Sequence, residues 1–515
     1  MRLFAAAGRL RLSKVSRNIV YNLAGQVLTA ILGFIAFRYV FRRVGDEAIG
    51  IIYFSLTLNT VLCAVLELGI SATTVRQVSA HFRDEPDYIR DLIRTASLFY
   101  WALYLAAAVV LYAAAPLLIA NWVNVHTLDH AVAVRVLRIV GIASLTVLPR
   151  SLYTSVFRGL ERMELNNAID VVTMGLQPIG TIVILVLGGG LSEIAFWFAC
   201  CFILSTLAYL VVTGAVVSWD ALVPMYSPSV VQRNVGFSFH LMLISILAVI
   251  QTQGDKLVVS KLLPLGVFGY YAVASGLASK ATVVISAIAL AASPSLSGLF
   301  QRGDRAALLG QYRKLHDLLC FATAPLFAAI YFAAFPIFRY LFNGDVAQML
   351  MGPMRFLCLG FYLSGTLHVP YAFSIAIGKP AITTRAHLYA LLISVPVTIL
   401  ATMRFGLIGA ALSLVLHDLV LYVYWIPRIC RECLEVPAAQ WYQHIVKILA
   451  LIGGTYGVAW MLVASSGPLT LQRIAAAYVA ASLVFALGAY RMLDEELQAS
   501  ASRLLHAVTV RNAET

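Results

Sequence analysis

The sequence predicts an all-α polytopic membrane protein with about fourteen transmembrane helices. The 515 residues are 61% hydrophobic and only 12% charged, whereas soluble proteins carry about 25% charged residues. The hydrophobic residues also fall in unbroken stretches of about 20, which is the length that one helix needs to cross the hydrocarbon core. Such stretches lack the alternation of barrel strands, so the composition excludes a transmembrane β-barrel.

Short connections separate the predicted spans, so no extramembrane domain is expected. Two charged segments, His81–Arg94 and Phe300–His316, are predicted to lie along the cytoplasmic surface as amphipathic helices. The predicted spans are approximately 17–41, 48–72, 95–119, 132–156, 168–187, 194–215, 235–260, 267–292, 317–341, 353–377, 384–403, 407–427, 444–464 and 472–491.

The basic residues are distributed unevenly between the two sides of the membrane. The connections on the side of the N-terminus are rich in arginine, and those on the other side hold only Arg42, Arg43, Lys261, Arg404 and Arg473. Because positive loops stay in the cytoplasm, both termini are predicted to be cytoplasmic. The same bias accounts for most of the net charge of +13, so no nucleic-acid partner is expected.

The sequence contains a weak internal repeat. Arg17-Asn18 opens the first span and Arg233-Asn234 opens the seventh, and the glycine of Gly50-Ile-Ile-Tyr53 is matched by Gly269 of Gly269-Tyr-Tyr271. The similar offsets predict two six-helix lobes related by a pseudo-two-fold axis along the membrane normal. The predicted organisation is an N-terminal tail (1–16), a first lobe (17–216), a linker (217–234), a second lobe (235–428), two further helices (444–491) and a cytoplasmic tail (492–515).

A central stretch from Arg233 to Ser295 contains polar groups inside two apolar spans. His240, Gln251 and Asp255 lie on one face of the seventh predicted helix,. Small and polar residues often serve only to pack membrane helices together. Ionisable groups at this depth are costly and commonly face a cavity or a partner charge. The stripe therefore predicts a polar cavity within the membrane.

Basic residues outnumber acidic residues inside the predicted spans. This excess of positive charge suits an anionic substrate such as a phosphate or pyrophosphate group. The predicted substrate-binding residues are Lys280, Arg138, Arg150 and Arg38, and the predicted ion-coupling or gating residues are Asp255, Glu67 and Asp170. Arg38 and Asp255 stand at equivalent positions of the repeat and are predicted to approach each other. A structural pair between Lys280 and either Asp255 or Asp418 is the alternative role for that lysine.

No metal site or cofactor is predicted. Seven cysteines are present, and most lie in apolar stretches, where a free cysteine behaves as a small hydrophobic residue. Cys430 and Cys433 have CxxC spacing without a second pair or a nearby histidine cluster. The sequence also lacks a nucleotide-binding phosphate loop.

Several motifs resemble those of the polysaccharide-transport (Wzx-type) flippases, which belong to the multidrug/oligosaccharidyl-lipid/polysaccharide exporter superfamily. The motifs are Arg17-Asn18, the stretch Val44–Tyr53, Glu67-Leu68-Gly69-Ile70, and Gly254-Asp255-Lys256-Leu257 followed by Gly269-Tyr270-Tyr271-Ala272. This chain has Lys256 where the family typically has arginine. The resemblance covers nearly the whole chain.

The resemblance implies a transporter rather than an enzyme, located in the bacterial inner membrane. It implies that undecaprenyl-pyrophosphate-linked oligosaccharide is moved between leaflets as two lobes rock. Proton or sodium antiport would drive this movement. Membrane lipids are expected to surround the protein. A glycan polymerase and a chain-length regulator are further expected partners.

The sequence is also compatible with three other functions. A lipid II-type flippase differs mainly in substrate, and a drug/cation antiporter of the same superfamily would usually have twelve spans and a more acidic cavity. A membrane glycan polymerase or ligase would carry a large periplasmic loop with Arg, His or acidic groups. The predicted periplasmic loops are about 12 residues or shorter, which counts against this enzyme class.

Overall fold

A computed structural model describes residues 31–493 and residue 498. In this range the chain is built from helices, and the one strand-like pairing is an isolated bridge between Asn124 and Pro264. The N-terminal tail, the first part of the predicted first span and the C-terminal tail lie outside the described residues. The side chain of His240 also lies outside them.

The helices are numbered here in chain order. They are α1 (31–43), α2 (Asp46–Leu66), α3 (Ile70–His81), α4 (Pro86–Asn121), α5 (His130–Ser144), α6 (Val147–Gly159), α7 (Met163–Val186), α8 (Leu191–Val216), α9 (Pro228–Leu262), α10 (Leu265–Ala278), α11 (Thr282–Gln301), α12 (Arg305–Leu341), α13 (Gly344–Thr366), α14 (His368–Ala376), α15 (Pro380–Phe405), α16 (Leu407–Ile429), α17 (Ala438–Ile452), α18 (Val458–Ser465) and α19 (Leu471–Met492). Short 3-10 segments lie at Asp220–Leu222 and Ser279–Ala281, and π-helical turns at Cys430–Leu434 and Gly453–Gly457.

The all-α membrane architecture predicted from the sequence is confirmed. The described residues contain 12 helical segments that are long and apolar enough to cross a membrane, and these correspond to twelve of the predicted spans. The other two predicted spans are 17–41, which is described only from residue 31, and 235–260, which lies in α9. The count of fourteen therefore stays a prediction.

The charged segments do not form separate surface helices, so that prediction is wrong. Helix α4 runs without a break over 36 residues from Pro86, because proline suits the first helical turn and no further helix breaker follows until Pro116. Helix α12 is likewise continuous from Arg305, and the Asp304 side chain caps it by accepting from the Ala307 N–H. The charged residues from Asp87 to Arg94 and from Arg305 to His316 lie in the first turns of these long helices.

The described residues divide into two compact units, one up to Tyr270 and one from Tyr271 onwards. In the first unit α9 packs against α2, α3 and α4, and α5 packs against α8. In the second unit α15 and α16 form an antiparallel hairpin that turns at Gly406, where φ is +57°. Helix α13 packs against both α12 and α16.

A close helix crossing joins α2 to the first turns of α10 within the first unit. A Cβ atom placed on Gly50 would overlap the carbonyl oxygen of Leu265, and one placed on Gly269 would lie 2.8 Å from the Gly50 nitrogen. The two glycines that were matched in the predicted repeat are thus in direct contact. Small residues allow such close backbone approach between membrane helices.

A buried carboxylate organises the connection between α4 and α5. The Glu47 side chain is 6% exposed and accepts hydrogen bonds from the backbone N–H groups of His126, Thr127 and Leu128 at 2.8, 2.9 and 2.6 Å. The same connection is joined to the α9–α10 turn, because the Leu265 N–H donates to the Asn124 carbonyl oxygen at 2.9 Å. One glutamate therefore fixes a loop that contacts three helices.

We expect that replacing Glu47 with glutamine lowers the stability of the protein by about 2 kcal/mol, because hydrogen bonds to charged groups are worth about 1.5–3 kcal/mol. The neutral amide offers one acceptor oxygen where the carboxylate offers two. The apparent melting temperature of the purified protein in detergent is the measurement. Glu164→Gln, a change at an exposed glutamate of α7, is the control, and equal melting temperatures for both variants would contradict the assigned role.

Candidate functional site

Arg150 is a partly buried cation on α6 inside the helix bundle of the first unit. Its Nη1 donates to the Ser205 hydroxyl on α8 at 2.8 Å, and its Cζ lies 5.9 Å from the ring centroid of Tyr209. Within residues 31–493, no carboxylate oxygen forms an ion pair with this guanidinium at 4.0 Å or less. A guanidinium held by neutral groups keeps its capacity to bind a phosphate or carboxylate.

Tyr209 connects this arginine to an acidic residue. The Tyr209 side chain is fully buried, and its hydroxyl donates to the Asp170 carboxylate on α7 at 3.0 Å. Arg150, Ser205, Tyr209 and Asp170 therefore form a continuous contact series across α6, α7 and α8, which we call the Arg150 cluster. The cluster combines a cation that can bind an anionic ligand with a carboxylate on the neighbouring helix.

Glu67 lies where the helix between α2 and α3 is interrupted. Leu68 and Gly69 both have positive φ, at +52° and +70°, and the Glu67 carbonyl oxygen accepts from the Ile70 N–H at 3.0 Å and from the Tyr100 hydroxyl at 3.1 Å. The Glu67 carboxylate and the Arg150 guanidinium both lie within electrostatic range of the Cys63 thiol. The structure therefore places Arg150 near two other predicted site residues, Asp170 through Tyr209 and Glu67 across Cys63.

The other predicted site residues lie elsewhere. Arg138 donates from Nε to the Tyr112 carbonyl oxygen at 3.0 Å, with its Cζ 3.9 Å from the ring centroid of that exposed tyrosine. It therefore contacts the outer surface of α4 rather than the Arg150 cluster. Lys280 is exposed within the 3-10 segment Ser279–Ala281 of the second unit. Arg38 is partly buried on α1, and Asp255 lies 3.4 Å from the Lys256 ammonium. The approach of Arg38 to Asp255 stays a prediction.

An apolar cavity of about 280 Å³ lies between α3, α4 and α9 of the first unit. Its few polar lining groups include Thr73, Thr95 and Asn234. Next to Asn234, the Arg233 guanidinium donates to both carboxylate oxygens of Glu85 at 2.8 and 3.3 Å. This hydrogen bond holds the pKa of the Glu85 carboxyl below its usual range. The ion pair joins α9 to the connection between α3 and α4.

One group of side chains in the described part of the chain is compact enough to hold a metal ion. It consists of His316 and Asp317 on α12 and His444 on α17, with ligand atoms within 4.8 Å of one another. His444 Nε2 lies 2.7 Å from Asp317 Oδ1, so a side-chain contact between two helices accounts for the arrangement. Cys430 and Cys433 are buried free cysteines.

Sequence analysis missed the neutral members of the Arg150 cluster and a buried acidic centre in the second unit. Ser205 and Tyr209 are unremarkable in an apolar span, and only their four-residue spacing on one helix face gave any signal. The sequence offers Asp418 as an alternative partner for Lys280, yet in the described chain Asp418 accepts from the Ser364 hydroxyl at 2.7 Å. The pairing of α13 with α16 could not be inferred from either helix alone.

The twelve long apolar helices define a multi-pass helical membrane protein. The chain belongs to the polysaccharide biosynthesis protein family (Polysacc_synt), whose model matches residues 15–300. A protein of Shigella flexneri assigned as an O-antigen transporter is 19% identical over 439 residues, which covers 81% of this chain and 98% of the relative.

Two solved structures share the fold. The lipid II flippase MurJ in an inward closed conformation has a TM-score of 0.69 at 14% identity and covers 92% of this chain and 99% of its own. An inward-facing multidrug resistance MATE family transporter of the MOP superfamily has a TM-score of 0.65 at 14% identity and covers 78% of this chain and 95% of its own. These relatives are transporters and flippases, not enzymes.

Proposed function

We propose that the protein is a flippase that moves undecaprenyl-pyrophosphate-linked oligosaccharide units across the bacterial inner membrane. The units would be those of an O-antigen, a capsule or an exopolysaccharide. Membership of the polysaccharide biosynthesis family supports a glycan substrate. The weak similarity to an O-antigen transporter supports a role in glycan transport. The observation that carries the proposal is the intramembrane Arg150, a cation without a carboxylate partner among residues 31–493.

In this proposal Arg150 holds the pyrophosphate group of the substrate, because guanidinium–phosphate hydrogen bonds are charge-assisted and directional. Asp170 is linked to Arg150 through Tyr209, so binding of an anion at Arg150 changes the electrostatic field at that carboxylate. Glu67 and Asp170 are the proposed sites of proton or sodium coupling in this unit. Alternating access moves the substrate between leaflets, with both termini in the cytoplasm. Lys280, Arg38 and Asp255 remain further proposed contacts.

A lipid II-type flippase is the second candidate function. The MurJ fold covers 92% of this chain, which favours a lipid-linked substrate over the small drugs of a drug/cation antiporter. The two flippase functions share the polyprenyl pyrophosphate group and differ in the attached sugar. A genetic test in strains that lack one or the other flippase distinguishes them.

Expression of the protein in a strain that lacks its O-antigen flippase is expected to restore surface glycan. The comparison is expression in a strain depleted of its lipid II flippase, where growth is the measure. Restored glycan with no rescue of growth supports the proposed function, whereas rescue of growth alone assigns the lipid II-type function. Correct insertion is checked by membrane fractionation and immunoblotting in both strains.

A further inference from the structure

The second unit contains a carboxylate that is completely buried. Asp418 on α16 is 0% exposed. Its Oδ2 accepts a hydrogen bond from the Ser364 hydroxyl on α13 at 2.7 Å, and its Oδ1 is buried without a hydrogen-bond partner among the described residues. An ionised carboxylate with an unpaired oxygen is very costly in a low-dielectric interior. A proton on Oδ1 removes the charge and with it most of this cost.

The surroundings of Asp418 contain titratable groups but no compensating cation. Within residues 31–493, no Lys or Arg nitrogen forms an ion pair with Asp418 at 4.0 Å or less. The neighbouring helices contribute His387 from α15 and His368 from α14, while His417 and Tyr422 lie on α16 itself. Tyr362 of α13 lies within electrostatic range of Tyr422, whose hydroxyl shares a hydrogen bond with the Thr366 hydroxyl at 2.6 Å.

Ser364 links Asp418 to the first of three histidines. Its hydroxyl donates to Asp418, and its carbonyl oxygen accepts from His368 Nδ1 at 2.9 Å. His387 lies within electrostatic range of His368, and its ring centroid is 6.0 Å from that of His417. His417 Nδ1 contacts the Ser394 hydroxyl at 3.2 Å, and its Nε2 is buried without a partner in the described chain.

These contacts place three histidines near one another, and the first of them contacts Ser364, whose hydroxyl binds Asp418. Chains of acidic residues and histidines serve as proton relays in membrane pumps and transporters. A sodium site is less well matched, because hard cations require several oxygen ligands and, among the described residues, Ser364 is the one residue whose side-chain oxygen is hydrogen-bonded to Asp418. The arrangement therefore favours a proton over a metal cation.

We propose that Asp418 is a reversible proton-binding site and that His368, His387 and His417 exchange this proton with the solvent. Binding places the proton on Oδ1 and neutralises the carboxylate. Release leaves a negative charge that the Ser364 hydroxyl stabilises directly. The use of this proton to drive substrate movement rests on the proposed function, whereas the proton binding itself does not.

Infrared difference spectroscopy of the purified protein tests the proton site without any substrate. The wild-type protein is expected to show the carbonyl stretch of a protonated carboxyl, which Asp418→Asn abolishes and Ser364→Ala shifts to higher frequency. Asp345→Asn, at an exposed aspartate at the start of α13, is the matched control and is expected to keep the band. Identical spectra for the wild type and Asp418→Asn at all pH values would overturn the proposal.

Two further experiments distinguish a proton site from a sodium site and test the role of the histidines. Replacing choline chloride with sodium chloride is expected to leave the band unchanged, and its loss on sodium addition would identify a sodium site and overturn the proton assignment. The double variant His387→Gln/His417→Gln is expected to slow the deuterium exchange of the band in heavy water by at least about tenfold. An unchanged exchange rate would remove the histidines from the proposal.

Glycan export then tests the link to transport. Loss of export in Asp418→Asn, at normal abundance in the membrane, supports proton coupling at this site. Normal export in a variant that lacks the infrared band would overturn the coupling role. Failure of the wild-type protein to restore any glycan would instead count against the proposed function, and the infrared result would be unaffected.

Discussion

Replacement of Arg150 with glutamine is expected to abolish glycan export while the protein remains inserted in the membrane. Glutamine retains the capacity to hydrogen-bond Ser205 but removes the charge that would bind pyrophosphate. Hydrogen bonds to charged groups are worth about 1.5–3 kcal/mol, which corresponds to about 10- to 100-fold weaker binding. Surface glycan in a flippase-null strain is the measurement, with immunoblotting for abundance.

Two control variants test whether the loss of export is specific to the charge and position of Arg150. Arg150→Lys keeps the charge without the planar donor array and is expected to retain partial export. Arg138→Gln removes an arginine that lies over the exposed ring of Tyr112 and is expected to leave export near the wild-type level. Equal export by Arg150→Gln and Arg138→Gln would remove Arg150 from the substrate site.

Replacement of Gly50 with valine is expected to destabilise the protein by at least about 3 kcal/mol, at the upper end of the range for overpacked sites. The new Cβ would overlap the Leu265 carbonyl oxygen, and a backbone atom cannot move away by changing a rotamer. The crossing of α2 and α10 would therefore have to open. The monodisperse fraction after heating, followed by fluorescence size-exclusion chromatography, is the measurement.

Gly175→Ala is the control for this substitution. A Cβ on Gly175, within α7, meets no atom within 4 Å, and alanine favours a helix by up to about 1 kcal/mol over glycine. This variant is expected to be as stable as the wild type or slightly more stable. Similar losses in the two variants would show that the helix crossing is not the cause.

The helical membrane architecture could be predicted because it depends on composition and length alone. Uninterrupted apolar stretches require helices in a bilayer, since each backbone group must be hydrogen-bonded internally. The helix ends were less predictable. The predicted fourth span is divided between α5 and α6 at Leu145 and Thr146, because Pro149 has no N–H to donate to the Leu145 carbonyl. The sequence alone does not show that this proline divides a helix, since Pro178 and Pro353 lie inside the continuous helices α7 and α13.

Only the charged residues of the candidate site could be predicted from the sequence. Arg150, Asp170 and Glu67 stand out because charged residues are rare inside membrane spans. Their grouping depends on how α2, α6 and α7 pack, which hydrophobic periodicity does not determine. Arg138 carries the same charge on a neighbouring helix, yet its side chain lies on the outer surface over Tyr112. Residue type alone could not separate the two arginines.

The contact between Gly50 and Gly269 restricts how the sequence can change during evolution. At Gly365 a Cβ would meet the Cδ1 atom of Ile285, so a smaller residue at 285 can compensate for a larger one at 365. At Gly50 and Gly269 the nearest obstructing atoms belong to the backbone, which every residue carries. A smaller side chain elsewhere therefore cannot make room for a larger residue at either position. Each of the two positions requires glycine, whatever residue occupies the other.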